Sequence, residues 1–169
     1  MESIKKPEKN LKTKSMKKPI IAIDIDEVLA DGTLSICEQI NDLNGTRFTP
    51  EDWHAEDHEY DDFYANFPRK KALKYGIESL KSDMTVDQSH VPLKSGSKDA
   101  VRKISQDFKI ILLTARDLTW KDETYRWVNE HFGEHTDQIL FSKEHPKGPQ
   151  KVDICEFLGV SYLIDDRID

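Results

Sequence analysis

Side chains that can bind a metal or a phosphate stand where three strands are expected to end. They are Asp24, Asp26, Thr114, Asp165 and Asp166. The short apolar runs IIAI, KIILL and VSYLI precede them, and such runs are typical of strands covered on both faces of a parallel sheet. Because parallel strands present their carboxyl ends at one edge of the sheet, we expect these side chains to converge.

Four carboxylates in one small volume repel one another, and their pKa values rise unless a cation neutralises them. Hard oxygen ligands of this type favour Mg²⁺, which keeps several waters and shares its remaining positions with a phosphate. A single pair of aspartates is common in turns, so either pair alone could be solvated charge. The joint occurrence of both pairs with a threonine and a downstream lysine predicts a magnesium and phosphate site.

The residues that connect these strand ends alternate between strand and helix patterns. The helix patterns cover residues 97–106, 119–132 and 149–158, and the strand patterns cover residues 20–23, 108–114, 137–141 and 160–164. This alternation predicts an α/β fold, a right-handed parallel sheet with helices on both faces. In the second and third helices the residues expected to face inward are Trp127, Val128, Phe132, Cys155, Phe157 and Leu158.

Length and composition restrict the class of protein. A chain of 169 residues holds one domain, or a core that carries a small insertion. The net charge of −7 argues against a general nucleic-acid binder, and no run is apolar enough for a membrane span or a signal peptide. We therefore expect a cytoplasmic protein that binds neither nucleic acid nor membrane. Cys37 and Cys155 lack metal-ligand spacing and are expected to be buried, reduced thiols.

Four short motifs carry a resemblance to a known superfamily. DIDEV at residues 24–28 resembles the DxDx(V/T) nucleophile motif of the haloacid dehalogenase-like phosphatases, and Thr114, Lys151 and the IDD at residues 164–166 resemble the second, third and fourth motifs, in the same order. The stretches DIDEVLADG, TYRWVNEHFG and KVDICEFLGVSYLIDDR are most similar to the cytosolic type C 5'(3')-deoxyribonucleotidases. The resemblance implies a three-layer Rossmann-like fold and a Mg²⁺-dependent phosphomonoesterase acting on nucleoside monophosphates.

The resemblance also implies a role for each aspartate of the motifs. Asp24 would attack the phosphorus and form an aspartyl-phosphate, which splits one difficult displacement into two easier ones. Asp26 would protonate the leaving oxygen and later deprotonate the attacking water. The Mg²⁺ site would be formed by Asp24, Asp166 and the backbone carbonyl of Asp26, with Asp165 orienting the neighbouring groups.

Substrate binding is implied for Thr114, Ala115 and Lys151. The Thr114 hydroxyl would bind a phosphoryl oxygen, and the Lys151 ammonium would neutralise the phosphate and the nucleophile. Lys143 and Lys147 compete with Lys151 for this role. Lys151 is preferred because it opens the helix that leads into the IDD strand, as the corresponding lysine does in the family.

Residues 33–90 are too long for a simple crossover between strands and are predicted to form a small helical cap. The catalytic core is then residues 19–32 and 91–169, and the Lys-rich residues 1–18 are expected to be a disordered tail. A closing cap would exclude water from the site. Aromatic side chains of the cap are candidates either for stacking on a nucleobase or for the cap's own core: Trp53, Tyr60, Phe63, Tyr64 and Phe67.

Two further groups of residues keep two interpretations each. Arg116 is either a phosphate contact that supports the site or an exposed loop residue paired with Asp117. His54 and His58 share a helical spacing seen in metal ligands. Because no third ligand accompanies them, solvated histidines are the favoured interpretation.

The pattern also leaves room for other functions. The cap alone would separate a nucleotidase from a phosphatase for another small phosphorylated metabolite, and a non-catalytic binding protein could keep the same fold. The family usually continues past the IDD strand with a helix and an edge strand, whereas this sequence stops at Asp169. We therefore expect the fourth strand to be an exposed edge that invites pairing with another chain, for example in a homodimer.

Overall fold

The computed structural model describes residues 17–54, 87–142 and 149–166. Nearly all of the predicted tail lies outside these residues. Of the predicted cap, residues 33–54 and 87–90 are described. For Trp53 and His54 the structure describes the backbone but not the side chains. The following candidates lie wholly outside the described residues: His58, Tyr60, Phe63, Tyr64, Phe67, Lys143 and Lys147.

The strands of the described residues form one parallel four-stranded sheet in the order β3-β2-β1-β4. They are β1 (Ile20–Ile23), β2 (Lys109–Thr114), β3 (Gln138–Phe141) and β4 (Val160–Ile164). Ile23, the last residue of β1, is paired with Leu112 on one side and with Ile164 on the other, so the carboxyl ends of these strands lie at one edge. The sheet and its flanking helices confirm the α/β prediction.

Helices connect the strands, and most begin or end at residues suited to that position. They are α1 (Gly32–Asn44), α2 (Pro50–His54), α3 (Ser97–Ile104), α4 (Lys121–Phe132, preceded by a 3₁₀ turn at Leu118–Trp120) and α5 (Lys151–Leu158). Asp31 caps α1 by accepting a hydrogen bond from the Leu34 amide. Gly159 ends α5 in the left-handed conformation that glycine adopts without strain. No helix in the described ranges is long and apolar enough to cross a membrane.

The core lies where α4 packs on the central strands, and it contains the inward-facing residues predicted for that helix. Trp127, Val128 and Phe132 are all buried with the apolar side chains of β1 and β2. Cys37 of α1 is buried as predicted, and burial raises the pKa of its thiol to about 11, so the thiol stays protonated at neutral pH.

The prediction for α5 is wrong in part. Phe157 is 89% exposed instead of inward-facing, and Cys155 and Leu158 are only half-buried. The reason is the position of α5 and β4 at the end of the sheet, where β4 pairs with β1 and no element of the described ranges lies beyond it. Tyr162 of β4 is exposed as well, so among the described residues β4 is an edge strand of the sheet, as expected.

Candidate active site

The first element of the site is Asp24, directly after β1. Its amide donates to the Ile164 carbonyl at 2.9 Å, which extends the pairing with β4 and fixes the backbone. One oxygen of its carboxylate, Oδ1, accepts a hydrogen bond from the Ile25 amide at 2.8 Å. The side chain is buried, and this burial raises the pKa of Asp24 to about 6 although the Lys151 ammonium beside it opposes the shift.

Lys151 approaches Asp24 from the first turn of α5. Its Nζ lies 2.7 Å from Oδ2 of Asp24 and 2.7 Å from Oδ2 of Asp165. Burial alone would lower the pKa of Lys151, but the two carboxylates outweigh it and the pKa is raised. Lys151 therefore stays protonated and supplies a fixed positive charge beside the Asp24 carboxylate.

Three carboxylates surround a space that suits a metal ion. Asp24, Asp165 and Asp166 each offer one oxygen, and these oxygens lie within 4.8 Å of one another. Burial, with the Asp165 charge adding to it, raises the pKa of Asp166. The ligand atoms are all oxygens, and two of the carboxyls, Asp24 and Asp166, have raised pKa values. This is the donor chemistry that Mg²⁺ accepts and that a cation would relieve. The residues present thus fit the predicted ion, with Asp165 offering an oxygen beside Asp24 and Asp166.

The Asp26 carboxylate is not one of these three and faces a different partner. The Arg116 side chain donates from Nη2 to Oδ1 of Asp26 at 2.7 Å and from Nε to Oδ1 and Oδ2 at 3.1 and 3.0 Å. Arg116 is buried, so the interpretation of an exposed arginine paired with Asp117 is wrong. The backbone carbonyl of Asp26 is the group predicted to bind the metal. The side-chain contacts with Arg116 do not test that prediction.

Thr114 closes β2 beside this arginine. Thr114 is fully buried, and its Oγ1 accepts a hydrogen bond from the Arg116 amide at 3.1 Å. Its carbonyl accepts from the Ser142 amide at 2.8 Å, which ties the end of β2 to the residue that follows β3. Ala115, the next residue, is half-buried. The strand ends thus hold Thr114 rigidly at the edge where the aspartates lie.

A second ionic cluster, which the sequence did not reveal, joins the two boundaries of the predicted cap. Lys94 contacts Glu27 at 2.8 Å and Asp31 at 3.1 Å. The backbone adds an antiparallel bridge between Ala30 and Leu93. Glu27 has a positive φ of 59°, which a non-glycine residue adopts at a cost, and its side chain also accepts a hydrogen bond from the Thr33 amide at 2.7 Å. These contacts hold the turn after Asp26 in one conformation.

Gln88 is a further buried polar residue that the sequence pattern missed. Its Oε1 accepts a hydrogen bond from Nη1 of Arg116 at 2.6 Å, and the side chain is almost completely buried. The residue lies in a segment without helix or strand periodicity, so no local signal marks it. The SHVP that follows shows only that the chain turns there.

Comparison with solved structures identifies the fold. A haloacid dehalogenase-like family hydrolase from Streptococcus pneumoniae matches with a TM-score of 0.54 and 15% identity, over 88% of this chain and 76% of that one. A hydrolase from Streptococcus pneumoniae TIGR4 matches with a TM-score of 0.56 and 17% identity, over 90% and 84%. A haloacid dehalogenase family hydrolase from Deinococcus radiodurans R1, with bound phosphate and sodium, matches with a TM-score of 0.50 and 14% identity, over 85% and 68%.

The structural neighbours therefore include haloacid dehalogenase-like hydrolases, and this chain has their Rossmann-like fold. No family model and no curated protein matches its sequence. At such low identity the likeness defines the fold and leaves the activity to be argued from the site.

Proposed function

We propose that this chain is a Mg²⁺-dependent phosphomonoesterase that acts through an aspartyl-phosphate on Asp24. The observation that carries the proposal is the convergence of Asp24, Lys151, Asp165 and Asp166 at the carboxyl edge of the sheet. Asp24 is a buried carboxylate beside the Lys151 ammonium, which offsets the negative charge that an approaching phosphate dianion brings. Asp165 and Asp166 complete the oxygen set for a cation that would do the same. The bound phosphate in the Deinococcus radiodurans hydrolase of similar fold supports the same class of substrate.

In the first step an oxygen of Asp24 forms a bond to phosphorus while the bond from phosphorus to the ester oxygen breaks. Asp26 gives its proton to the departing oxygen, so the product leaves as an alcohol. In the second step Asp26 takes a proton from a water molecule, whose oxygen attacks the phosphorus and releases the Asp24 carboxylate. Throughout both steps Lys151 stays charged and stabilises the oxygens that gain negative charge.

Asp24, Asp165 and Asp166 are the carboxylates of the described residues that would hold Mg²⁺, with the Asp26 carbonyl as the further predicted ligand. When bound, the ion would neutralise the carboxylates and polarise a phosphoryl oxygen. Thr114 and Ala115 would orient the phosphate from the end of β2. The same carboxylates without a cation would repel an anionic substrate, which is why metal dependence belongs to the proposal.

We assign nucleoside monophosphates as the substrate, and the cytoplasm as the compartment, on the sequence resemblance to the type C nucleotidases. A phosphatase for another small phosphorylated metabolite is the second candidate, because the compared hydrolases share the fold and carry no nucleotidase name. A non-catalytic binding protein is disfavoured, because it would not require a general acid at Asp26.

The experiment that tests the proposal is a phosphatase screen with and without Mg²⁺. It compares nucleoside monophosphates, sugar phosphates and an aryl phosphate, and it measures released phosphate after exhaustive chelation and after Mg²⁺ is restored. We expect hydrolysis that chelation abolishes and Mg²⁺ restores, fastest for a nucleoside monophosphate. Full activity in the chelated protein would contradict the metal site, and no hydrolysis of any phosphate would contradict the proposed activity.

A further inference from the structure

Arg116 is buried and its guanidinium contacts the Asp26 carboxylate. The Arg116 side chain is 1% exposed, whereas that of Asp26 is 39% exposed. Nε and Nη2 of Arg116 both lie on the Asp26 carboxylate, the first contacting both oxygens and the second contacting Oδ1. A planar fork on a carboxylate fixes the orientation as well as the position of that carboxylate.

Arg116 is itself held on its other side. Nη1 donates to Gln88 Oε1 at 2.6 Å and to Thr124 Oγ1 at 3.3 Å, so all three nitrogens of the guanidinium have protein acceptors. The guanidinium carbon lies 5.8 Å from the centre of the Trp127 ring, within the range of a cation–π contact. The Trp127 indole in turn donates to the Val91 carbonyl at 2.9 Å. Arg116 is therefore a rigid support.

Although Arg116 contacts both oxygens of the Asp26 carboxylate, the side chain remains accessible from solvent. Oδ1 accepts from two nitrogens of Arg116 and Oδ2 accepts from one, and more than a third of the side chain faces solvent. An aspartate exposed to this degree would otherwise rotate freely about its side-chain bonds. Proton transfer to a leaving oxygen requires a donor at hydrogen-bond distance and in the correct direction.

We propose that Arg116 is a positioning residue that holds the Asp26 carboxyl toward the leaving oxygen of the substrate, with Gln88 and Thr124 holding Arg116. This role rests on the proposed phosphatase activity. It differs from the direct phosphate contact considered for Arg116 from the sequence. The burial of Arg116, whose side chain is 1% exposed, argues against a direct contact with a phosphate.

The test compares two substrates whose leaving groups differ in their need for a proton. An aryl phosphate leaves readily without protonation, whereas an alkyl phosphate does not. Rapid-quench labelling measures the rate at which each substrate phosphorylates the protein, in the wild type, in Arg116→Lys and in Arg102→Lys. Arg102 is a matched control, because it pairs with Asp99 on the exposed surface of α3.

We expect Arg116→Lys to slow phosphorylation by the alkyl phosphate on the order of 10²-fold more than by the aryl phosphate, since a displaced proton donor costs about this much. Arg102→Lys should change neither rate. In an Asp26→Asn background the Arg116 substitution should have no further effect on either substrate, because the group that Arg116 positions is then gone.

Two results would overturn the role of Arg116 and leave the phosphatase activity standing. One is that Arg116→Lys slows phosphorylation by both substrates equally. The other is that it slows phosphorylation by the same factor in the Asp26→Asn background as in the wild type. If none of the phosphate substrates labels the wild-type protein or is hydrolysed by it, the proposed activity and this role are overturned together. If Arg116→Lys does not fold, Gln88→Met carries the test, since it removes one support of Arg116 and keeps the fork. Relative to the wild type, Gln88→Met should slow phosphorylation by the alkyl phosphate about threefold or more beyond its effect on the aryl phosphate, because the positioning is partly lost. The same relative loss on both substrates would overturn the proposal.

Discussion

Replacing Asp24 by asparagine should make the metal-free protein more stable at neutral pH, although it removes the proposed nucleophile. Burial raises the pKa of Asp24 from 3.8 to about 6, and Lys151 offsets only part of that shift. A carboxyl whose pKa is higher in the folded state than in the unfolded state stabilises the fold below the unfolded value. That contribution is lost as the pH rises through the folded value, so ionised Asp24 costs stability above about pH 6.

The size of the effect follows from the shift. A rise from 3.8 to about 6 is roughly two pKa units, and each unit corresponds to about 1.4 kcal/mol. Ionising Asp24 in the folded protein therefore costs about 3 kcal/mol relative to the unfolded chain. Asparagine resembles the neutral carboxyl in shape and cannot ionise. The free energy of unfolding of Asp24→Asn minus that of the wild type should thus grow by about 3 kcal/mol between about pH 3 and pH 7.

The assay is urea unfolding of both proteins in the presence of a chelator at several pH values, followed by tryptophan fluorescence, since Trp127 is buried in the core. Asp99→Asn is the matched control, because Asp99 is 74% exposed, and its difference from the wild type should stay within about 0.5 kcal/mol at every pH. A difference for Asp24→Asn that is flat with pH, or that falls as the pH rises, would refute the assignment of a burial penalty to this carboxyl.

Two further predictions concern turnover. With an aryl phosphate in rapid-quench labelling, Asp24→Asn should trap no phosphate on the protein, whereas Asp26→Asn should form the phospho-enzyme and release phosphate on the order of 10²–10⁴-fold more slowly for want of a base. Phosphate trapped on Asp24→Asn, or none on an Asp26→Asn variant that still binds substrate, would show that the two roles are wrong. Lys151→Ala should lower kcat on the order of 10²–10³-fold, because it removes the ammonium that contacts Asp24, whereas Lys103→Ala on the exposed face of α3 should leave kcat unchanged; equal losses would place the phosphate-binding lysine elsewhere.

Local sequence was sufficient to predict the sheet and the part of the site that lies on strand ends. The apolar run before Asp24 and the run before Asp165 predict two parallel strands, and strands of that kind must present both carboxylates at one edge. Lys151 was predicted from the family resemblance together with its place at the start of the helix that leads directly into β4. In each case the relevant contact follows from the order of neighbouring elements.

The exposure of Phe157 was not predictable in the same way. A pattern of apolar residues shows which face of a helix could be buried, but it does not show whether another element covers that face. α5 packs against β4 at the end of the sheet, and within the described residues nothing lies beyond β4, so the aromatic ring stays in solvent. The prediction failed because burial depends on neighbours that α5 itself does not specify.

The sequence by itself determined which residue types stand at each strand end, because strand periodicity and the parallel connections are local properties of the chain. Only the tertiary structure decided the partner of each charge. Arg116 follows β2 and could have faced solvent, Asp117 or a phosphate, yet it contacts Asp26, which lies 90 positions earlier, and Gln88, 28 positions earlier. A buried guanidinium must find acceptors, and which acceptors are within reach depends on how β1, α4 and the segment at residue 88 pack together.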